Sequence, residues 1–235
     1  MVSIPARLCG AQELMDSPGV DLTELPRTLA DLAWINRWLG GVRLVLDHLV
    51  RFTEGNEGPL RILDVGTGFA DIPRALARWA RRSSLRIQID AIDHREAIVR
   101  LARRACASYP EIHVCRADAL SLPYPDGAFR VVLASLVLHH MEGEEPVQLL
   151  RELYRVSSHA VLVNDLRRGT WPLWVTWAAL HIVSRDRSIR HDGPLSVRRA
   201  FLPGELLTLA RDAGWKKASV SRHPGFRVAL VGERG

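Results

Sequence analysis

Acidic residues follow the ends of several apolar segments, where together they could bind a cationic ligand. Asp64 closes the first of these segments and precedes a turn that contains Gly66 and Gly68. Asp93 and Asp118 follow two later apolar segments. If the segments are parallel strands, their carboxyl ends meet at one edge of a sheet, where α/β folds bind ligands. The sequence therefore predicts a single site that combines carboxylates with an accessible glycine backbone.

The glycine turn lies between a predicted strand and a predicted helix. Leu60–Leu63 alternates too little for a strand with one wet face, which indicates a strand buried on both faces. Gly66 and Gly68 permit backbone dihedrals that other residues avoid. Asp71 can cap the following helix, with Pro73 near its start. Strand, glycine turn and helix form the opening unit of nucleotide-binding α/β folds, although the glycine spacing alone is equally compatible with a structural turn.

The acidic residues around this turn indicate the charge of the ligand. A dinucleotide site has the pattern G-x-G-x-x-G, but the sixth position counted from Gly66 is Asp71. A carboxylate there would repel the pyrophosphate that a helix N-terminus attracts, and Asp64 would add to the repulsion. S-adenosylmethionine (SAM) carries an amine and a sulfonium and no phosphate, so both acids are compatible with it. The residues therefore favour SAM over a dinucleotide.

The sequence D-V-G-T-G-F-A of this turn resembles the first motif of class I SAM-dependent methyltransferases, an acidic residue followed by G-x-G-x-G. Ala70 replaces the third glycine. The resemblance implies that Asp93 binds both ribose hydroxyls and that Asp118 and Ala119 contact the adenine. It also places Ser135 in the cofactor site. As an alternative, Asp93 and Asp118 cap a helix or open a loop.

The segment Phe129–His140 resembles the fourth strand of the ubiquinone/menaquinone-biosynthesis C-methyltransferases and related small-molecule enzymes. The overall resemblance covers about residues 60–230, and its motifs are specific for SAM and unspecific for the acceptor. Trp171, Trp174 and Trp177 lie where such methyltransferases insert substrate-selecting elements. An aromatic and aliphatic wall suits an apolar or phenolic acceptor, so we predict a small molecule of that kind.

Two adjacent histidines are the candidate catalytic residues. Direct displacement requires aligned reactants, and a phenolic acceptor with a pKa of about 10 benefits from a base. His139 and His140 follow the fourth strand, and histidine titrates nearest neutrality. His191 and Asp165 are the reserve candidates. Packing of one histidine against the sheet is the alternative interpretation.

The composition is that of a globular protein with a cationic excess. The 235 residues suffice for one α/β domain with an additional element. The net charge is +6, and only Lys216 and Lys217 among the 32 basic residues are lysine. The arginines are scattered, which favours solvated helix faces over a nucleic-acid site. Cys9, Cys106 and Cys115 lack C-x-x-C spacing, which indicates a reducing compartment, and no metal site is predicted.

These features predict a cytoplasmic protein without a transmembrane segment. The N-terminus lacks the pattern of a signal peptide. The apolar run Trp171–Val183 has about 13 residues, whereas a bilayer span needs about 20. A peripheral membrane contact of this run is left open, as is the oligomeric state.

The order of the segments predicts an α/β fold with a Rossmann-like, mostly parallel seven-stranded sheet and a terminal antiparallel hairpin. Strands separated by helices of about 10 to 15 residues imply right-handed βαβ crossovers. Two helices precede the core and predict a helical cap. The predicted division is an N-terminal arm and helical cap at 1–55 and a SAM-binding domain at 56–235, with a substrate-side insertion at 171–200.

Other segments are predicted to be irregular or leave alternatives open. Residues 1–20 are weakly patterned and predict a mobile arm. Glu54–Pro59 is a predicted linker, and Arg187–Pro194 is a predicted loop that could close on the site. Asn36 and Arg37 on the first helix either face the acceptor or pack with a polar side exposed.

Methyl transfer from SAM to oxygen or carbon of a small apolar or phenolic acceptor is the preferred function. The alternatives are an RNA-directed methyltransferase, a non-catalytic SAM-fold binding protein and an NAD(P)-dependent oxidoreductase.

Overall fold

A computed structural model describes residues 4–17, 23–53 and 58–234. Its core is one seven-stranded sheet in the order β3-β2-β1-β4-β5-β7-β6. Strand β7 runs opposite to the other six strands of this sheet. The predicted fold class is confirmed, including the terminal hairpin. The strands are β1 Leu60–Val65, β2 Ile87–Asp93, β3 Ile112–Arg116, β4 Phe129–Ser135, β5 Ser157–Leu166, β6 Lys217–His223 and β7 Arg227–Glu233.

Helices cover both faces of the sheet. They are α1 Leu25–Trp38, α2 Gly41–Phe52, α3 Asp71–Arg82, α4 Glu96–Ala105, α5 Glu145–Val156, α6 Thr170–Val183, α7 Arg187–Arg199 and α8 Pro203–Asp212. Along β1 the side chains alternate between two cores: Ile62 packs with α2, α3 and α4, and Leu63 packs with α5 and α8. Because both faces are covered, five of the six residues of β1 are buried, as the sequence predicts.

The strand order reverses between β1 and β4, which makes their carboxyl ends the topological switch point of the sheet. Asp64 pairs with Ala91 of β2 on one side and with Leu133 of β4 on the other. The ends of these three strands therefore converge at one edge. No helix in the described ranges is long and apolar enough to cross a membrane.

The mobile arm predicted for residues 1–20 is wrong for the part that is described, residues 4–17. The Leu8 N–H donates to the Arg198 carbonyl of α7 at 3.0 Å. Asp192 of α7 accepts from the backbone N–H groups of Leu14 and Met15 at 2.8 and 3.0 Å. Since α7 holds this segment at several points, it forms part of the cap rather than a loose end. Residues 1–3 and 18–22 lie outside the described residues, as do 54–57 of the predicted linker.

The loop predicted at Arg187–Pro194 is also wrong, because these residues form the first part of α7. Asp186 caps this helix and accepts from two backbone N–H groups of its first turn. An added Cβ at Gly193 would lie 2.0 Å from Leu180 Cδ1 of α6. The glycine is therefore required for close packing of α6 and α7, and the Gly-Pro pair lies inside a helix rather than in a turn.

A buried arginine joins the last strand to the first helix. Arg227 of β7 donates to Asn36 Oδ1 at 2.8 Å and to Asn164 Oδ1 of β5 at 3.2 Å. Burial lowers the pKa of Arg227 to about 10. Asn36 in turn donates from Nδ2 to Asp71 Oδ2 at 2.8 Å, so this residue both packs in the interior and lines the cavity described next.

Candidate active site

A cavity of about 1040 Å³ opens at the edge where β1, β2 and β4 end. Small-molecule sites usually enclose about 300 to 1,000 Å³, so this cavity has room for a cofactor and a second small molecule. Its floor is the sheet edge, and its other walls come from residues near Glu13 and from α1, α6 and α7. All nine predicted site residues line it: Asp64, Gly66, Gly68, Asp93, Asp118, Ala119, Ser135, His139 and His140. The reserve candidates His191 and Asp165 do not line it.

The glycine turn takes the backbone conformation that its residues permit. Gly66 and Gly68 have φ of +68° and +53°, and Ala70 at the third position has φ of +52°. An added Cβ at Gly66 would lie 2.4 Å from Val137 Cγ2, whereas one at Gly68 would meet nothing within 4 Å. Gly66 therefore permits close approach of the segment after β4, and the absence of a side chain at Gly68 leaves space for a ligand. This space fits the ligand type predicted from the turn.

Three carboxylates surround this turn. Burial and, to a smaller extent, the charges of Asp71 and Asp93 raise the pKa of Asp64 to about 7. Burial also raises the pKa of Asp71, although the hydrogen bond from Asn36 opposes this shift. A positively charged group bound among these acids would offset their mutual repulsion and their loss of hydration. The donor set therefore fits the ammonium and sulfonium of SAM and does not fit a phosphate.

Asp93 links the end of β2 to the glycine turn. Its Oδ2 accepts from the Gly68 N–H at 3.2 Å and its Oδ1 from the Arg95 N–H at 3.0 Å. Asp118 is exposed and its Oδ1 accepts from the Leu120 N–H at 2.9 Å, which is the loop-opening arrangement. A contact with adenine, for which Asp118 keeps a second carboxylate oxygen, stays a prediction. The Ser135 hydroxyl accepts from Asn164 Nδ2 at 3.4 Å.

His139 lies between two buried carboxylates. Its Nδ1 is 2.7 Å from Asp165 Oδ1, and its Nε2 is 3.6 Å from Glu13 Oε1. Burial alone would lower the pKa of His139, but Asp165 and Glu13 raise it to about 10. At neutral pH the ring is therefore a cation that already carries its proton. This state suits an orienting role better than the role of a base.

Glu13 and His140 complete the same cluster. Glu13 accepts from the Ser196 hydroxyl at 2.8 Å, and its Oε1 is 3.9 Å from His140 Nδ1. The neighbouring histidines lower the pKa of Glu13 although burial opposes the shift. The two histidine rings lie 4.2 Å apart, and the His140 side chain keeps 29% of its exposure. His140 is therefore the more accessible histidine, and it faces an ionised carboxylate.

Two arginines, the buried Arg199 and the half-buried Arg7, fix the turn that carries the histidines. Arg199 donates to the His140 carbonyl at 2.8 Å and to the Ala11 carbonyl. Arg7 donates to the Met141 carbonyl at 2.7 Å. Arg199, like Arg168 and Arg227, is buried, so the interpretation of the arginines as solvated helix faces is wrong for these three.

The ligand atoms of Glu13, His139 and His140 lie within 4.8 Å of one another, the one such grouping in the described ranges that could hold a metal ion. No metal site is predicted from the sequence. A metal on His139 Nε2 would have to displace a proton that two carboxylates stabilise. We therefore consider these side chains as proton-handling groups. Nothing in the sequence around Glu13 signals this role, since its segment has neither helix nor strand periodicity.

Comparison with known proteins finds methyltransferases. A family model described as "Methyltransferase domain" matches residues 62–159. The demethylmenaquinone methyltransferase of Thermus thermophilus is 34% identical over 128 residues, which are 54% of this chain and 50% of that protein. The malonyl-[acyl-carrier protein] O-methyltransferase of Halorhodospira halophila is 33% identical over 117 residues, 49% of this chain and 38% of that protein. The chain thus spans half the length or less of these two curated relatives.

Solved structures share the fold. A SAM-dependent methyltransferase from Aquifex aeolicus has a TM-score of 0.64 at 20% identity, covering 88% of this chain and 97% of that chain. Human N-acetylserotonin methyltransferase in complex with SAM has a TM-score of 0.65 at 15% identity, covering 92% of this chain and 57% of that chain.

Proposed function

We propose that this chain, a member of the class I SAM-dependent methyltransferases close to the ubiquinone/menaquinone-biosynthesis group, transfers a methyl group from SAM to a small apolar or phenolic acceptor. The reacting atom of the acceptor is an oxygen or an activated carbon. One observation carries the proposal: a single cavity is lined both by the glycine turn and its carboxylates, here called the cofactor end, and by the histidine–glutamate cluster, here called the acceptor end. The cysteines are unpaired, which is consistent with the cytoplasmic location expected from their spacing.

The cofactor end supplies binding and orientation. Bound there, SAM would provide a methyl group already activated by the sulfonium charge. Asp64 would pair with the ammonium, Gly68 would leave space for the ligand beside its Cα, and Asp93 would bind the ribose hydroxyls. The residues of this end need only hold the sulfonium in line with the acceptor, because displacement at an activated carbon gains mainly from proximity.

The acceptor end supplies the proton acceptor. We assign His140 as the general base, because it lines the cavity and is the more accessible of the two histidines. Glu13 faces His140 and would stabilise the imidazolium that forms when the ring takes a phenolic or enolic proton. His139 is a positioning residue, since its cation keeps Glu13 ionised and in place.

The remaining walls favour an apolar acceptor. Ile35 of α1, Leu180 of α6 and Ile189 of α7 form one buried cluster at the cavity and exclude water from it. We propose that residues 1–55 together with 171–200 form the acceptor side, and that the rest of 56–235 forms the cofactor domain. The quinone-type and malonyl-type activities named for the two relatives support a small-molecule acceptor.

Calorimetry with S-adenosylhomocysteine tests the cofactor assignment. Asp93→Ala removes two charge-assisted hydrogen bonds to the ribose, so we expect about a hundredfold loss of affinity. Asp47→Ala, which removes a carboxylate from the exposed face of α2, is the matched control and should bind like the wild type. Absence of binding to the wild type at millimolar ligand would refute the proposal.

A further inference from the structure

Helix α6 is apolar on all sides and yet mostly exposed. Of its 14 residues, only Pro172 and Leu180 are buried. The exposed fraction is 73% for Trp171, 61% for Trp174 and 84% for Ile182. We define the α6 face as its exposed large apolar side chains: Trp171, Trp174, Val175, Trp177, Ile182 and Val183. A helix that is hydrophobic all round normally lies in a protein core or in lipid, so this exposure requires a partner.

The length and position of α6 limit what the partner is. An apolar segment of about 10 to 14 residues is a core helix, an interfacial segment or part of a signal peptide. The exposure of α6 contradicts a core helix, and its position between β5 and α7 contradicts a signal peptide. Tryptophan is the residue enriched where hydrocarbon meets lipid headgroups. An interfacial segment is the remaining possibility.

The charges around α6 favour an anionic surface. Residues 170–185 contain no aspartate or glutamate. Arg185 and Arg187 follow the helix directly and are exposed. The next acid, Asp186, is occupied by the Thr28 hydroxyl at 2.5 Å and by backbone N–H groups of α7. The apolar helix therefore ends in two exposed arginines, whereas the carboxylate between them is engaged by α1 and α7.

The same charges disfavour a second copy of the chain. In a two-fold dimer the α6 faces could cover each other's apolar side chains. Arg185 and Arg187 would gain no carboxylate from the partner's α6, because residues 170–185 contain none. A bilayer with anionic headgroups satisfies both the apolar and the cationic parts of the surface.

We propose that the α6 face inserts into the headgroup region of an anionic bilayer, with Arg185 and Arg187 on the lipid phosphates. Thr176 and Leu180 of the same helix line the cavity. The proposed membrane contact therefore lies on the outer side of the helix that bounds the acceptor side of the cavity. Trp34 and Trp38 of α1 are also exposed. Helix α1 lies beside α6 in the cavity wall, because Ile35 of α1 and Leu180 of α6 belong to one buried cluster. An apolar acceptor could then pass from the lipid to the cavity without crossing water.

Co-sedimentation with vesicles tests the proposal. The wild type should bind vesicles of phosphatidylcholine and phosphatidylglycerol more tightly than vesicles of phosphatidylcholine alone. Trp171→Ser/Trp174→Ser/Ile182→Ser should bind both kinds at least about tenfold more weakly, because apolar area drives insertion. Arg185→Gln/Arg187→Gln should lose about tenfold on the anionic vesicles only, and added salt should reduce wild-type binding there.

The matched control is Val50→Ser/Leu85→Ser, which removes two exposed apolar side chains away from α6 and should leave vesicle binding unchanged. Unchanged affinity for S-adenosylhomocysteine shows that each variant is folded, and Ile182→Glu alone serves if the triple variant is not. Vesicle binding needs no cofactor, so it succeeds or fails separately from methyl transfer. The proposal would be overturned if the wild type did not bind vesicles, or if the α6 variant bound them as tightly as the wild type. So would a wild-type dimer that the α6 variant converts to a monomer without any vesicle binding.

Discussion

The carboxyl groups at the two ends of the cavity have pKa values shifted in opposite directions. At the cofactor end, Asp64 lies near Asp71 and Asp93, and burial together with their charges raises its pKa to about 7. At the acceptor end, Glu13 and Asp165 share the imidazolium of His139, and the pKa of both acids is lowered. At the cofactor end, a cationic ligand would balance the charge of the carboxylates. At the acceptor end, His139 already balances the charge of the carboxylates, and His140 is the proposed base.

The two ends also differ in how the chain builds them. Asp64, Gly66, Gly68 and Asp93 come from one continuous stretch of two strands and a helix. Glu13, His140 and Ser196 meet only after three distant segments have packed together. The comparison indicates that cofactor binding and acceptor chemistry should respond separately to mutation, and the following predictions test this.

The largest effect is expected for His140→Ala. Loss of a general base lowers kcat by about 10²- to 10⁴-fold, while affinity for S-adenosylhomocysteine should stay unchanged because the cofactor end is intact. Steady-state kinetics on an accepted phenol and calorimetry measure the two quantities. His191→Ala is the matched control, since His191 lies outside the cavity and pairs with Asp192. An equal loss of activity in both variants would contradict the assignment of His140.

The next effect concerns the stability that His139 contributes. His139→Gln leaves Asp165 and Glu13 without their shared cation, so we expect a loss of about 3–5 kcal/mol in the free energy of unfolding. The folded pKa of His139 is about 10, above its ordinary 6.5. Its contribution is therefore complete below about pH 6.5 and is lost as the pH rises towards 10. Urea unfolding across this range should show the wild type and the variant converging at high pH, and a constant difference would exclude the imidazolium.

A smaller effect distinguishes the two glycines of the turn. Gly66→Ala places a Cβ 2.4 Å from Val137 Cγ2 at positive φ, so we expect a loss of about 2–4 kcal/mol. Gly68→Ala meets no protein atom within 4 Å, so only the strain of about 1 kcal/mol applies. Thermal unfolding measures both. Affinity for S-adenosylhomocysteine should nevertheless fall in Gly68→Ala, since the added methyl group would occupy the space proposed for the ligand.

The smallest effect is the pH dependence of cofactor binding. An ammonium pairs with Asp64 only when the carboxyl is ionised, and the pKa of Asp64 is raised to about 7. Affinity for S-adenosylhomocysteine should therefore fall about tenfold between about pH 8 and pH 6. Asp64→Asn should bind more weakly and without this dependence. Calorimetry in buffers across the range checks both curves, and a flat wild-type curve would argue against the ammonium contact.

The same contrast explains what could be predicted from sequence. The sheet and the glycine turn follow from residues adjacent in the chain, because burial on both faces and positive φ leave local signals. Glu13 leaves none, since its burial depends on contact with Ser196 of α7. The first part of helix α7 could not be predicted for a related reason. Gly193 and Pro194 normally indicate a turn, and only the contact with Leu180, which is distant in sequence, shows that the glycine permits helix packing.

The hydrogen bond from Arg227 to Asn36 has a consequence for biosynthesis. During translation α1 leaves the ribosome early, whereas β7 is made almost two hundred residues later. Asn36 of α1 therefore cannot form this hydrogen bond until Arg227 has been synthesised. The wall that α1 contributes to the cavity is completed late in folding. Premature termination before β7 should yield a chain that keeps the glycine turn but cannot shelter an acceptor.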